Sequence, residues 1–408
     1  MKPLDGFRVL DLTRYLSGPY CTMVLAELGA DVIKVEPPIS GDDSRRLGPK
    51  VNGESYPFGM PNRSKRSVAL NLKDEKGLAA FLRMAEQADL VIENFRPGVV
   101  DRLGISYDDV SRVRPDILYC SISGFGQTGP YRDRPGFDIM AQGAGGFMRM
   151  TGHPGGRPTK VGIAINDIAA GATAIYSILA AELARRTTGK GEYIDISLLE
   201  AGLAWTVWES GAYFGSGEVP AATGTRHRRS TPYQAYATAD GYVTIGANND
   251  RLWTRLVRDV LRRPAWLDDE RFATLPDRLE NIDELQEEIE AITTTESTGE
   301  WLKLLDEAGV PGGPVLTYDE TLADPHVQAR GMIAEIGHPI IGPMRTIAPP
   351  TKFRHIDFSV NGSAPWLGQH TRSVLAETGL DEDEIEALYE AGVAFDQHPD
   401  LAQGESNA

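Results

Sequence analysis

The chain has 408 residues, more than one hydrophobic core ordinarily spans, with 41% hydrophobic and 24% charged residues. That usage excludes a wholly disordered chain, a fibre and a disulfide-stapled miniprotein. Lys plus Arg is 41 against Asp plus Glu 58, and the formal charge of −17 repels nucleic acid and anionic membranes, so neither is expected as a partner.

The first fifteen residues carry Asp5, Arg8 and Asp11 through their apolar stretch, so they do not read as a signal peptide. Residues 8–12 read as a strand. Ser17-Gly18-Pro19 then opens a helix, with proline where a missing N–H costs nothing, and Gly29 closes it. A second strand follows at 31–35, then a Pro/Gly/Asp-rich loop over 37–43 and an amphipathic helix over 73–88. Residues 89–92 and 117–121 are further short apolar runs of strand type. This βαβ rhythm predicts an α/β fold, a Rossmann-like parallel sheet with helices on both faces. Such sheets bind ligands beyond the carboxyl ends of their strands, which here carry Thr13-Arg14, Glu36, Glu93-Asn94-Phe95 and Ser123-Gly124.

A long helix is expected over 167–186, followed by a strand at 193–197. Its apolar run, 168–181, is shorter than the ~20 residues of a membrane span. The aperiodic stretch 215–230 reads as linker and loop. A second unit begins at Thr231, with a strand at 242–246 and charged helices over 249–307. From Gly331 the pattern is irregular and proline-rich, 381–391 is a capped acidic helix, and the residues after Gln397 read as disordered. The domain scheme is therefore 1–200 for the amino-terminal part of a large domain and 201–230 for linker and active-site loop. A small α+β domain takes 231–330, and 331–408 returns to the large domain with a disordered tail. Cys21 and Cys120 each lie in an apolar segment, as buried thiols in a reducing, cytoplasmic compartment do. No CxxC or Cys/His cluster offers a metal site.

Gly124-Phe-Gly126-Gln-Thr-Gly129 matches G-x-G-x-x-G after a strand. Dinucleotide binding needs a helix at its end, and Pro130 and Pro135-Gly136 forbid one of useful length, so the segment reads as a glycine-rich loop. Asp167 heads an uncharged run expected to be buried. An N-cap role accounts for it, and the helix amino terminus would also keep the carboxylate ionised and fit to act as a nucleophile. Asp138, in a glycine-flanked turn, is a second acid that could divide labour with it. Ser64-Lys65-Arg66-Ser67, Lys73 and Arg102 are cations that could seat phosphates or be merely solvated. The segment from Gly224 through His227 and Arg228 to Arg229 is basic and lacks aliphatic anchors. It reads either as a mobile clamp for an anionic substrate or as a plain linker. There is no G-x-x-x-x-G-K-[ST] loop, G-x-S-x-G elbow or H-E-x-x-H motif.

Together these segments resemble the family III CoA-transferases. The resemblance runs from residue 4 to about residue 380, on Val9-Leu-Asp-Leu-Thr13 with Gly18-Pro19, Leu28-Gly-Ala-Asp-Val-Ile-Lys-Val-Glu36 and Lys65-Arg-Ser67. It continues through Glu93-Asn-Phe-Arg-Pro-Gly98, Gly136-Phe-Asp-Ile-Met-Ala-Gln-Gly143, Pro158-Thr-Lys-Val-Gly162, Asp324-Pro-His-Val-Gln-Ala-Arg-Gly-Met332 and Leu367-Gly-Gln-His-Thr371. It implies a Rossmann-like large domain built from both chain ends, a smaller α+β domain, and an interlocked homodimer. It makes Asp167 the nucleophile in a transfer of CoA from an acyl-CoA to a free carboxylic acid through an aspartyl anhydride and an aspartyl-CoA thioester. Coenzyme A is then a substrate, and no permanently bound cofactor or metal is implied. CoA contacts carry over to Arg14, Tyr15, Ser17, Asn94, Phe95 and Arg102, with Lys73 and Phe137 added to the set. Gly224, His227 and Arg228 fall in the loop near the acceptor.

Arg14 and Pro37 replace a histidine and an arginine of formyl-CoA transferase. The basic His227 segment replaces its glycine run, which argues against a formyl or oxalate enzyme and for a larger acid, a dicarboxylate such as succinate or malate. Succinyl-CoA is the donor the family suggests. The alternatives are an α-methylacyl-CoA racemase-like isomerase, against which Phe137 stands at the place of the required histidine, and a non-catalytic CoA-binding protein.

Overall fold

The computed structural model describes residues 2–396, so the tail after Gln397 lies outside the described residues. The chain divides into two units. One takes the chain up to Phe147, Val161–Glu218 and the chain from His326 on; the other takes Met148–Lys160 and Val219–Pro325.

In the first unit, strands β1 (Arg8–Asp11), β2 (Asp31–Glu36), β3 (Arg66–Leu70), β4 (Leu90–Glu93), β5 (Leu118–Ser123) and β6 (Glu192–Ser197) form a parallel ladder. Their order is β3-β2-β1-β4-β5-β6, with Ala394–Phe395 added antiparallel on the outer edge of β3. The centre of this sheet is covered on both faces, which is why its strands are nearly continuous apolar runs. Side chains alternate between two cores. Val9, Val32, Leu90, Ile92 and Cys120 enter one with Cys21, Leu25 and Ala170, while Leu10, Ile33, Val91 and Tyr119 enter the other with Phe81, Leu375 and Leu388. The predicted parallel α/β sheet is thus present. Strands β1 to β3 step outward one way and β4 to β6 the other, so a crevice opens beyond the carboxyl ends of β1 and β4.

The helices of this unit that matter to the site are α1 (Ser17–Glu27), α2 (Glu75–Glu86), α3 (Val99–Leu103), α4 (Asp138–Ala144) and α5 (Ile165–Thr188), then α6 (Leu198–Trp205) and α7 (Val207–Ser216). Asp74 caps α2, whose apolar face buries Phe81 and Met84, each worth about 1.5–3 kcal/mol on the usual transfer scale. Helix α5 has 24 residues and is long and apolar enough, by length and composition, to cross a membrane. It lies instead along α1 and the sheet, burying Ala169, Ala170, Ala174 and Ile178. The helix expected over 167–186 lies within it, two residues short at each end. Contrary to the expectation of a buried helix, it exposes Tyr176 and Leu183.

Three further readings need correction. The span 201–230 is not linker throughout, because Ser197 caps α6 and an apolar, Trp-containing stretch continues into α7. The cation run at 64–67 leads into β3, whose short apolar part the charges conceal. Beyond Gly331 the chain is irregular only in part: Ile333–His338 and Gly342–Ile347 form an antiparallel hairpin, while 348–370 carries no helix or strand.

In the second unit, β7 (Tyr233–Ala237), β8 (Tyr242–Gly246) and β9 (Gly312–Pro314) form an antiparallel sheet in the order β9-β8-β7. Val243 and Ile245 meet Trp253, Leu256, Ile289 and Leu305 from the following helices in its core.

Candidate active site

The chain leaves β1 through a tight loop in which Tyr15 takes φ +63°. Gly18 lies so close beneath it that an added Cβ would stand 2.2 Å from the Thr13 side chain. Across the crevice, Arg14 donates its N–H to Asn94 Oδ1 at 2.8 Å, and Asn94 Nδ2 donates to the Arg14 carbonyl at 2.8 Å. Asn94 Nδ2 also reaches Ser17 Oγ at 3.4 Å. The Arg14 guanidinium lies 5.3 Å from the Phe95 ring centroid, and Tyr15 meets Phe137 edge-on at 6.4 Å. The structure therefore brings together Arg14, Tyr15, Ser17, Asn94, Phe95 and Phe137.

Buried ion pairs underpin this loop. Asp11 pairs with Lys65 at 3.0 Å and accepts from the Thr13 and Thr22 hydroxyls. Lys34 donates to the Thr13 carbonyl at 2.6 Å and pairs with Asp42 at 2.9 Å, while Asp42 accepts the Tyr15 N–H at 3.3 Å. Burial and the nearby Lys34 draw the Lys65 ammonium down to about 8, against the pull of Asp11. Lys65 is thus structural rather than a phosphate seat. Arg66 likewise pairs with Asp31 and Glu377, each at 2.6 Å. Lys73, in the turn after β3, and Arg102, in α3, are exposed with no side-chain partner among the described residues.

Two carboxyls meet where α4 and α5 begin. Asp138, the first residue of α4, accepts the Asn166 N–H at 2.9 Å through Oδ1 and Gln142 Nε2 at 2.6 Å through Oδ2. It is therefore no solvated turn residue. Asp167 is not the N-cap of α5: that position is Ala164, and Asp167 lies in the first turn. Its half-buried carboxyl makes no hydrogen bond among the described residues. Burial, then the Asp138 carboxylate, push it up to about 7, so the helix terminus does not hold it fully ionised at neutral pH.

The start of α5 is locked from three sides. Besides Asp138, Asn166 Nδ2 donates to the Leu198 carbonyl at 3.0 Å. Gly171 lies so close to α1 that a Cβ there would come within 2.6 Å of the Ser17 carbonyl oxygen. Sequence reasoning missed Gln142 and Asn166, both fully buried amides. Gln142 receives the Val161 N–H at 2.8 Å and so ties the strand of chain entering α5 to α4. Four-residue spacing from Asp138 within one helix was the available signal for it.

Gly224, His227 and Arg228 lie in the second unit, apart from the groups above in the chain's division. Their segment is not free there. The Gly224 N–H donates to the Gly152 carbonyl at 2.8 Å, His227 N–H to the Tyr233 carbonyl at 3.0 Å, and Arg228 to the carbonyls of Met150 and Ala221. Arg226 pairs with Asp283 at 2.6 Å. Backbone and guanidinium contacts thus hold a segment that has no aliphatic anchor. The glycine-rich segment after β5 opens no helix before Asp138, and Gln127 N–H instead donates to Asp195. Among the described residues no three His, Cys, Asp or Glu side chains cluster as metal ligands.

A crevice at the sheet's switch point, with a carboxyl free of hydrogen bonds at the head of an adjoining helix, defines an α/β enzyme that acts on a ligand held beyond its strand ends. A profile described as CoA-transferase family III matches residues 4–371, and the chain belongs to that family. It is 40% identical over 400 residues to succinyl-CoA:glutarate CoA-transferase of Mus musculus, covering 98% of this chain and 91% of that protein. It is also 40% identical over 336 residues to acetyl-CoA:oxalate CoA-transferase of Acetobacter aceti, covering 82% and 86%. Among solved structures, a CAIB/BAIF family protein from Brucella suis superposes with TM-score 0.84 at 37% identity, covering 92% of this chain and 99% of that one. The chain is a CoA-transferase.

Proposed function

We propose that the protein moves CoA from succinyl-CoA to a small dicarboxylic acid, with Asp167 as the nucleophile. The observation that carries this reading is the Asp167 carboxyl, free of hydrogen bonds in the first turn of α5 and pushed up to about 7 by burial and by Asp138. A carboxylate of raised basicity is the stronger nucleophile, and half of it is ionised at pH 7. A carboxylate oxygen of Asp167 attacks the thioester carbon; the C–S bond breaks, leaving a mixed anhydride and CoA thiolate. The thiolate then attacks the Asp167 carbonyl carbon, the anhydride C–O bond breaks, and the donor acid leaves, so CoA rests on Asp167 as a thioester. The acceptor carboxylate attacks that thioester and the two steps run in reverse. No net proton is taken up, and exchanging one thioester for another is nearly thermoneutral.

Arg14, Tyr15, Ser17, Asn94 and Phe95 seat the CoA, and Lys73 and Arg102 are the exposed cations offered to its phosphates. Asp138 is a positioning residue: it spends both oxygens on Asn166 and Gln142 and raises the basicity of Asp167. Relatives named for glutarate and for oxalate are equally identical to this chain, so identity alone does not choose the acceptor. Relatives named for succinyl-CoA or succinate with glutarate and citramalate favour a dicarboxylate larger than oxalate. Phe137, with no ionisable group, speaks against racemisation.

The first unit exposes Phe214 at 82%, Val207 at 75%, Trp208 at 69%, Leu183 at 66% and Tyr176 at 60%. So much apolar surface on α5 and α7 supports a homodimer that covers it. Free, buried Cys21 and Cys120 suit a reducing cytoplasm. The test is formation of a new thioester from succinyl-CoA with glutarate, malate and oxalate in turn. Wild type is expected to turn over glutarate and malate in preference to oxalate, and Asp167→Asn is expected to bind CoA without turning over. Turnover by Asp167→Asn near the wild-type rate would overturn the assignment.

A further inference from the structure

Glu93 ends β4 with 1% exposure, inside the sheet's carboxyl edge, and the chemistry above does not use it. Its side chain turns back to accept the Phe95 N–H at 2.7 Å and takes a second hydrogen bond from Ser121, which in turn receives the Tyr193 hydroxyl at 3.2 Å. The residue between, Asn94, makes the reciprocal pair with the Arg14 backbone. The shape of the whole turn thus hangs on a buried acid with no Lys or Arg partner among the described residues.

We propose that Glu93 is a positioning residue for acyl-CoA binding: its ionised carboxylate fixes the Asn94–Phe95 turn, and through Asn94 the Arg14 loop, in the geometry that takes the ligand. The inference rests on the reading that acyl-CoA seats on Arg14, Asn94 and Phe95. Among the described residues the ionisable groups whose charge bears most on Glu93 are acids, Asp195 from β6 and Asp101 from α3, and it faces the phenols of Tyr119 and Tyr193 and the Cys120 thiol. Burial, with Asp195 and Asp101 adding to it, lifts its carboxyl to about 7 against the hydrogen bonds from Ser121 and Phe95. Both of those bonds are strongest to the ionised carboxylate, so protonation weakens its hold on the Phe95 N–H. Binding then weakens as pH falls through neutrality, in proportion to the fraction still ionised.

The test is calorimetric titration of CoA into Asp167→Asn protein between pH 8 and pH 6, which removes the titration of the nucleophile. It is repeated with Glu93→Gln added. Glutamine still accepts the Phe95 N–H and does not titrate, and comparing the two proteins cancels the ligand's own phosphate ionisation. The dissociation constant is expected to rise up to about tenfold more over this range when Glu93 is present. Equal pH dependence in the two proteins overturns the inference. Should Glu93→Gln fail to fold, Ser121→Ala decides: loss of its hydrogen bond is expected to move the binding midpoint to higher pH, and an unmoved midpoint overturns the inference. Arg14→Ala separates the two readings. Unchanged CoA affinity there sinks the binding site itself, whereas weakened affinity together with a Glu93→Gln protein that titrates like its parent sinks only the role of Glu93.

Discussion

At the scale of single residues, Asp167 is held at a cost. Its carboxyl titrates near 7 in the folded chain and near 3.8 in a free one, so the folded state prefers the neutral form. The penalty is absent below about pH 4, grows as pH rises, and is complete above about pH 7. Asp167→Asn removes it. That variant is expected to be more stable than wild type at pH 8, by on the order of 2 kcal/mol after discount for its half-exposed carboxyl, and equal to it at pH 4. Urea unfolding at both values checks this, and a constant difference would refute it. The exposed cations make a separate prediction. Arg102→Ala and Lys73→Ala should each raise the KM for acyl-CoA by roughly three- to tenfold with little change in kcat, because each removes one charge-assisted phosphate contact. Added salt should shrink both effects.

At the scale of elements, the loop after β1 depends on charges buried beneath it. Lys65→Met would leave Asp11 buried without its cation, and the expected loss is about 3–5 kcal/mol of stability by chemical denaturation. A loss under about 1 kcal/mol would show the pair to be dispensable. Gly171→Ala is expected to push α5 off the Ser17 carbonyl, costing about 1–3 kcal/mol and lowering kcat as Asp167 shifts with its helix.

The same elements show what a sequence reveals. The strands 8–12, 31–35 and 89–92 and the two long helices were legible, because apolar runs and caps are local signals. Glu93, Asn94 and Arg14 were legible as strand-end residues. Strand β3 was not, since Arg66 pairs with Asp31 and Glu377, which are distant in sequence. Lys65 looked like a ligand cation for the same reason: its partner Asp11 is set by the fold. The place of Asp167 in the first turn, and the occupation of its expected capping role by Asp138, depend on the approach of α4, which no local pattern encodes.

At the scale of the whole molecule, one chain leaves open an apolar face on α5 and α7. Sedimentation at micromolar concentration is expected to give a dimer, and Phe214→Glu with Trp208→Glu to weaken it; an unmodified chain that sediments as a monomer would contradict this. The central claim is the covalent role of Asp167, and mass spectrometry of peptides after acid quench with succinyl-CoA tests it most directly. A CoA or succinyl adduct on the peptide carrying Asp167, absent in Asp167→Ala, is the predicted result. Turnover with that peptide unmodified at every quench time, or an adduct on another carboxyl, would contradict it.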